Sequence, residues 1–200
     1  MPIDLLELPM PITLRPAAPA SDEELLQFSA ANDAYRIERN KEGEIIMMTP
    51  LGGTGGYNEA VVFTELMAWA RSDGRGRSFS PSTGFVLPDS SCLMPDACWV
   101  ANDRWNRLTA KQRDGLVPLC PDFVVEVRSK TDRRRALEAK MQVWMENGAK
   151  LGWLIDTREG SVTIYQPGRA ERTLQKPDFF EGVDPVAGFV LHAAELWSAE

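Results

Sequence analysis

The sequence predicts an α/β (α+β) fold in which a mixed β-sheet is flanked by helices and preceded by an N-terminal helix and hairpin. Short segments with a period-two apolar pattern, such as 122–128, alternate with segments of helical periodicity, such as 132–147. The length of 200 residues and the apolar content of 44% suit one ordinary globular core. We therefore expect a single domain over residues 1–200, opening with a Pro-rich extended segment at 1–20.

The first elements are predicted from caps and turns. Ser21 precedes an acidic turn and is expected to cap a helix that ends near Ala31. The segments YRIERN and EIIMMTP flank a turn at residues 41–43 and predict a hairpin. The following LGGTGG predicts a loop that enters a helix from about Tyr57 to Ser72. It lacks the Gly-Lys-Ser/Thr ending of a phosphate-binding P-loop, so a hinge or tight helix entry is favoured.

The remaining elements alternate between strands and helices. RSFSPSTGFVLP, CLMPDACWVA and DFVVEVRS predict strands, with a polar segment and a short helix at 102–116. A helix is expected from about Asp132 to Asn147, ended by Gly148 and covering a sheet with the apolar residues Leu137, Met141, Trp144 and Met145. KLGWLIDT and SVTIYQP predict two strands joined by a turn at 159–160. Residues 175–200 predict a loop, a final short strand and one helical turn.

Charge and composition narrow the class of function. The net charge of −7 argues against a protein that coats DNA non-specifically, because such binding relies on Lys and Arg neutralising phosphates. A nuclease is still compatible, since a divalent cation would neutralise site carboxylates. Arginines cluster at Arg71, Arg75 and Arg77 and again at 133–135. Each cluster is either a solvated face or a nucleic-acid contact.

Several other classes find little support in the sequence. The three cysteines form no CxxC motif and are expected to be reduced, buried thiols rather than a disulfide or zinc framework. No apolar run approaches the roughly 18 residues that span a bilayer, and Asp4 and Glu7 stand where a signal peptide would be basic. We therefore expect a cytoplasmic protein without membrane contact. The single histidine, His192, argues against His-dependent hydrolases.

A carboxylate and a guanidinium share one face of the predicted strand at 122–128. Alternation directs Glu126 and Arg128 to one side of the sheet, while Phe123, Val125 and Val127 face the other. An isolated charge beneath a covering helix costs several kcal/mol, so these groups must be paired or bound to a metal. A salt bridge between Glu126 and Arg128 is the structural alternative.

Asp96 is the best candidate for a second acid in the same site. Pro-Asp usually marks a turn and occurs four times, at 88–89, 95–96, 121–122 and 177–178. Asp89 and Asp178 fall in a turn and a loop, and Asp122 lies roughly 13 Å from Glu126 along the same strand. Only Asp96 falls within a separate strand signal just upstream. If the two strands are neighbours, Asp96 and Glu126 can share a Mg²⁺ ion.

The chain resembles the Uma-type restriction endonuclease family of the PD-(D/E)XK superfamily over about residues 20–197. The resemblance is carried by IIMMTPLGGTGG, STGFVLP, MPDACWV, LCPDFVVEVRS, AKMQVWMENGAKLGWLID and VTIYQPG. It implies a restriction-endonuclease-like core and hydrolysis of DNA phosphodiester bonds with Mg²⁺ or Mn²⁺. It further implies Asp96 and Glu126 as metal ligands, the carbonyl of Val127 as another, and Arg128 at the usual lysine position.

The arginine at position 128 departs from the motif. A guanidinium does not act as a base, although it can hold phosphate oxygens and stabilise charge in the transition state. Lys140 on the following helix could supply the missing ammonium, with a snorkelling surface lysine as the alternative, and Lys130 is a third option. Members of the superfamily often add a polar residue from the helix after the glycine loop. Asn58 is the closest match here, although Asn is also a common helix cap.

The resemblance leaves the activity and assembly open. Relatives of this fold often act as two-fold dimers, so a homodimer is expected by analogy. One rival is a catalytically weak or inactive member that binds nucleic acid on the same fold. A second rival is a structural protein in which Asp96, Glu126, Arg128 and Lys140 form a charge network without metal.

Overall fold

The structure is a computed structural model that describes residues 10–197. The part of the predicted extended segment at 1–9 and the last three residues lie outside the described residues. The strands are β1 (Ile12–Leu14), β2 (Arg36–Arg39), β3 (Ile45–Met48), β4 (Gly76–Phe79), β5 (Phe85–Val86), β6 (Cys92–Leu93), β7 (Ala97–Ala101), β8 (Phe123–Arg128), β9 (Leu151–Asp156), β10 (Ser161–Tyr165), β11 (Arg172–Gln175), β12 (Phe179–Glu181) and β13 (Val190–His192). The helices are α1 (Asp22–Ala31), α2 (Gly53–Asp73), α3 (Asn102–Trp105), α4 (Ala110–Asp114), α5 (Arg134–Glu146) and a 3-10 turn (Ala194–Trp197).

The strands form two larger sheets and one small hairpin. The main sheet has the order β11-β10-β9-β8-β7-β4, and its β8–β9 pair is parallel while its other pairs are antiparallel. The second sheet has the order β1-β3-β2-β6-β5, and β12 pairs with β13. The predicted mixed sheet with flanking helices and an N-terminal helix and hairpin is therefore confirmed.

The two faces of β8 carry different cores, as its alternating pattern predicts. Phe123, Val125 and Val127 belong to a cluster that includes Val62 and Leu66 of α2. Val124 faces the other way and belongs to a cluster with Trp144 of α5. Both faces of the strand are thus covered, which explains why a carboxylate on it has little access to solvent.

The N-terminal predictions hold in detail. Ser21 caps α1 through a capping box with Glu24, and β2 and β3 form the expected antiparallel hairpin.

Gly148 follows α5 with a positive φ of 109°, a left-handed conformation that favours glycine at a helix end. All three cysteines are buried free thiols, and burial raises the pKa of Cys92 and Cys120 to about 12.

The start of α2 and the strands of the C-terminal region differ from the sequence prediction. Helix α2 begins at Gly53 rather than near Tyr57, so most of the glycine stretch is the first turn of the helix, where Gly56 N–H donates to the Gly52 carbonyl at 2.9 Å. Glycine disfavours helix by propensity alone, and the apolar face that begins further along α2 overrides that preference here. The C-terminal region also contains strands β11 and β12, which the sequence did not indicate. No helix within residues 10–197 is long and apolar enough to cross a membrane.

Gly76 allows the edge strand β4 to approach β7, and its replacement tests this packing. A Cβ at Gly76 would lie 2.2 Å from the Trp99 ring and 2.5 Å from the Val100 carbonyl oxygen. We expect Gly76→Ala to lower the free energy of unfolding by about 1–3 kcal/mol, measured by urea denaturation. The control is Gly56→Ala, where a Cβ meets nothing within 4 Å. This control should raise stability by about 0.4–1 kcal/mol, and an equal loss in both variants would contradict the packing argument.

Candidate active site

Asp96 is fixed between two neighbouring strands. It immediately precedes β7, which pairs with β8, and its backbone N–H donates to the Val125 carbonyl at 3.1 Å. Its Oδ2 accepts from the backbone N–H of Val127 at 2.7 Å, and its Oδ1 accepts from Arg36 Nη1 at 2.7 Å. The side chain is buried. The carboxylate therefore has a defined orientation beside the strand that carries Glu126.

Glu126 lies on the α5 face of β8 and is held by two residues of that helix. Its Oε1 accepts from the indole Nε1 of Trp144 at 2.8 Å. The ammonium of Lys140 lies 3.0 Å from Oε1 and 3.1 Å from Oε2. Lys140 also lies 2.8 Å from Glu38 Oε1 and donates to the Met94 carbonyl at 2.8 Å. The sequence allows Lys140 to be either an ammonium near the acids or a snorkelling lysine, and the structure places it against Glu126.

Arg36 and Glu38 join the same cluster although sequence analysis did not select them. Both project from β2, and Glu38 Oε1 accepts from the Met94 backbone N–H at 2.9 Å. Arg36 donates to Asp96 and to the Met94 carbonyl. The available signal was an Arg and a Glu two positions apart in a predicted strand, which places both on one face. We call Arg36, Glu38, Asp96, Glu126 and Lys140 the charge cluster.

Helix α2 carries two further polar residues, Asn58 and Glu59, and Glu59 interacts with the charge cluster. Asn58 is buried, and its Oδ1 has no hydrogen-bond partner within the described part of the chain. The next residue, Glu59, is half-buried and interacts electrostatically with Asp96, Arg36 and Lys140. A buried amide oxygen without a donor is costly, and a donor or cation that reached Asn58 would remove that cost.

Negative charge exceeds positive charge around the cluster. Among the described residues, the cations recorded beside these four carboxyl groups, including that of Glu59, are Arg36 and Lys140. Burial raises the pKa of Glu126 to about 7, which Lys140 opposes and Asp96 reinforces. Burial and the nearby Asp96 also raise the pKa of Glu59 to about 7. Burial alone would lower the pKa of Lys140, but Glu126 and Glu38 raise it, so its ammonium stays charged at neutral pH.

Arg128 points to the same side as Glu126 but is engaged elsewhere. Its Nη1 lies 2.7 Å from Asp156 Oδ2 and 3.5 Å from Glu159 Oε1, and its Nε donates to the Asp132 carbonyl. Arg128 and Asp156 are direct partners in the parallel β8–β9 register, which explains the pairing. Lys130 lies beyond the strand end and is exposed. The structure thus brings Asp96, Glu126, Val127 and Lys140 together, and it pairs Arg128 with neighbouring acids.

The donor set matches a hard divalent cation. Within residues 10–197, no group of three or more His, Cys, Asp or Glu side chains is arranged to hold a metal ion. Mg²⁺ needs fewer, because it is commonly bound by one or two carboxylates together with waters and substrate phosphate. Such an ion would offset the excess negative charge of the site. The residues present therefore fit a magnesium-type ion held by Asp96 and Glu126.

Comparison with known proteins identifies the family and the fold of the chain. A family model described as "Uma2: Putative restriction endonuclease" matches residues 22–194. The chain belongs to the Uma2 family. A solved structure, a putative nuclease belonging to DUF820 from Anabaena variabilis ATCC 29413, is similar at a TM-score of 0.68 and 20% sequence identity. The match covers 82% of this chain and 90% of that one, and it confirms the fold. No curated protein matches the sequence.

Removal of the Lys140 ammonium tests how much the charge cluster contributes to the stability of the folded protein. Lys140→Met would leave Glu126 and Glu38 without their shared cation in a buried setting. We expect a loss of about 3–5 kcal/mol in the free energy of unfolding, measured by urea denaturation at pH 7.5. Lys111→Met, at an exposed position of α4, should change stability by less than about 0.5 kcal/mol. Similar losses in the two variants would show that Lys140 is a surface lysine.

The raised pKa of Glu59 predicts that a neutral residue at this position stabilises the folded protein, and that the effect depends on pH. Because the pKa rises from 4.5 to about 7 on folding, the folded state binds more protons in this window, and stability falls as pH rises through it. In metal-free buffer, Glu59→Gln should match the wild type near pH 5 and exceed it at pH 8. Solvent screening of this half-exposed group limits the gain to about 1 kcal/mol, or roughly 2–4 °C in Tm. Glu42→Gln, in an exposed turn, should show no such pH dependence.

Proposed function

We propose that the protein is a Mg²⁺- or Mn²⁺-dependent endonuclease that hydrolyses DNA phosphodiester bonds at a PD-(D/E)XK-type site. The observation that carries the proposal is the convergence of Asp96 and Glu126, from neighbouring strands, beside the ammonium of Lys140. Family membership supports the nuclease class. The proposal adds the metal, the substrate and the residues that act on it.

Each residue of the site has a distinct role in this proposal. Asp96 and Glu126 would hold the metal, with the Val127 carbonyl as a further ligand. The metal, when bound, lowers the pKa of a coordinated water and offsets charge on phosphate oxygens. The backbone N–H of Val127 and the Nη1 of Arg36 orient the carboxylate of Asp96. The buried Trp144 indole orients Glu126 in the same way, so the acids are preorganised before substrate arrives.

Lys140 is our choice for the role that lysine has in the motif. It contacts Glu126 directly, whereas Arg128 pairs with Asp156 and Lys130 lies beyond the strand end. Because its carboxylate partners raise its pKa, Lys140 acts as a permanent cation that stabilises charge on the phosphate rather than as a base. We assign Arg128 to charge stabilisation near the strand end and Asn58 to a polar contact with the metal or its water.

We also propose an oligomeric state and a cellular compartment for the protein. We propose one restriction-endonuclease-like domain that acts as a homodimer, since cutting both strands of a duplex needs two sites. We place the activity in the cytoplasm, because three buried free thiols suit a reducing compartment.

A metal-free structural role is the alternative, and one observation supports it. Both oxygens of Asp96 and both oxygens of Glu126 already have partners within the protein. Such a cluster could hold β2, β8 and α5 together without any ion, as in an inactive member that binds nucleic acid or serves only as a scaffold. This alternative predicts no heat of binding when Mg²⁺ or Mn²⁺ is added.

A plasmid nicking assay tests the catalytic proposal. With Mg²⁺ or Mn²⁺, the wild type should convert supercoiled DNA to open circles, and EDTA should stop the reaction. Asp96→Ala should lower the rate by more than about a hundredfold, since metal catalysis supplies several kcal/mol of the barrier. The matched control is Asp178→Ala, which removes an exposed carboxylate from another Pro-Asp pair and should retain full activity.

Calorimetry separates the metal site from the structural alternative. Mn²⁺ titrated into the wild type should release or absorb heat with saturation, and Glu126→Gln should weaken binding, while thermal melts show that each variant is folded. Absence of any saturable heat in the folded wild type, together with absence of nicking, would leave the metal-free network as the correct account.

A further inference from the structure

An open cavity lies well away from the charge cluster, near the far end of α2. It has a volume of about 310 Å³, within the range typical of small-molecule sites. Arg71 is 13 residues beyond Asn58 on α2, which corresponds to about 20 Å along the helix. The cavity is bounded by α2, by the edge strand β4 and by α3. It is therefore separate from the proposed metal site.

Two arginines at the cavity have no acidic partner in the described part of the chain. Arg71 and Arg77 are exposed and form no ion pair with any residue from 10 to 197, whereas Arg75 between them pairs with Asp73 at 2.7 Å. Arg77 Nε donates to Asn102 Oδ1 at 3.3 Å, a neutral oxygen that leaves the guanidinium charge uncompensated. In a chain of net charge −7, two uncompensated guanidiniums that line one cavity favour an anionic ligand such as phosphate.

A buried hydroxyl lines the same cavity. Ser78 on β4 is only 8% exposed, and within the described residues its Oγ has no hydrogen-bond partner. A buried hydroxyl without a partner costs free energy and has no evident structural reason here. A ligand oxygen in the cavity would satisfy it.

The remaining wall is apolar and aromatic. Phe79 and Trp105 line the cavity, with ring centroids 4.9 Å apart and a tilt of 52°. The guanidinium of Arg113 lies over the Trp105 ring at 5.5 Å and helps to fix its position. Met67 adds an adaptable apolar contact. Such a wall suits a flat, polarisable group like a nucleobase, which binds to aromatic side chains without sequence preference.

We propose that this cavity binds a nucleoside phosphate. The base would contact Phe79 and Trp105, the phosphate would lie between Arg71 and Arg77, and Ser78 would hydrogen-bond a ligand oxygen. This site goes beyond the proposed nuclease activity and shares none of its residues. The same chemistry fits a free nucleotide or one unit of a nucleic-acid strand.

Calorimetric titration with deoxyadenosine monophosphate in EDTA tests the proposal without involving the metal site. The wild type should bind, and deoxyadenosine should bind more weakly because it lacks the phosphate. Arg71→Gln combined with Arg77→Gln should weaken binding by roughly tenfold or more. The charge-matched control combines Arg169→Gln with Arg172→Gln at exposed positions and should leave binding unchanged.

Ser78→Ala distinguishes a ligand contact from a structural one. If Ser78 serves the ligand, its replacement should leave the Tm equal or higher, because an unpartnered buried hydroxyl is removed, and should weaken nucleotide binding about fivefold. A lower Tm with unchanged binding would mean that Ser78 is structural and would remove the main support for the site.

Three results would overturn the proposal: no binding by the wild type, equal weakening by both arginine pairs, or loss of binding on Asp96→Asn. The last would place the nucleotide at the carboxylates. Plasmid nicking is scored separately, so the nuclease proposal can stand or fail independently.

Comparison of the monophosphate with a single-stranded deoxyadenylate tetramer identifies the source of the ligand. Tighter binding of the tetramer indicates a strand, and equal or weaker binding indicates a free nucleotide. Either result supports the site.

Discussion

The ammonium of Lys140 is the contact on which the candidate site depends. It joins Glu126 of β8, Glu38 of β2 and the Met94 carbonyl, so one side chain from α5 links the main sheet to the second sheet. Arg36 makes a parallel link from β2 to Asp96. The two sheets are therefore connected at the site by ion pairs rather than by apolar packing alone. Any change in these charges affects both the geometry of the acids and the relation between the sheets.

An arrangement of this kind is a poor way to gain stability. Desolvation of buried ions offsets much of their attraction, and apolar residues of similar volume often serve as well. Most of β8 follows that rule, with Phe123 and Val124 in apolar clusters. The charged residues of the strand, Glu126 and Arg128, lie toward its C-terminal end. Local departure from an otherwise consistent core is typical of functional sites.

Local periodicity predicted much of this site. It could not predict the partners that come from distant parts of the chain. Alternation within β8 correctly placed Glu126 on the helix-covered face, and the strand signal around Asp96 correctly made it a neighbour. Arg36 was beyond such reasoning, because its partner Asp96 is 60 residues away and lies across a junction between sheets. The partner of Arg128 also depended on register, since Asp156 became its neighbour only through the parallel β8–β9 pairing. The early start of α2 shows the same limit, because tertiary packing overrode the low helix propensity of glycine.

The charges of the cluster give a physical reason for a divalent ion. Four negative charges are present when Asp96, Glu126, Glu38 and Glu59 are ionised. Arg36 and Lys140 supply two positive charges, so the net charge is −2. In the absence of metal, protonation of Glu126 and Glu59, whose pKa values rise to about 7, removes part of this excess negative charge. A single divalent cation would relieve it fully and would let both groups remain ionised at neutral pH. Glu38 is central to this balance, because by pairing with Lys140 it offsets the repulsion that the ammonium would exert on an incoming metal.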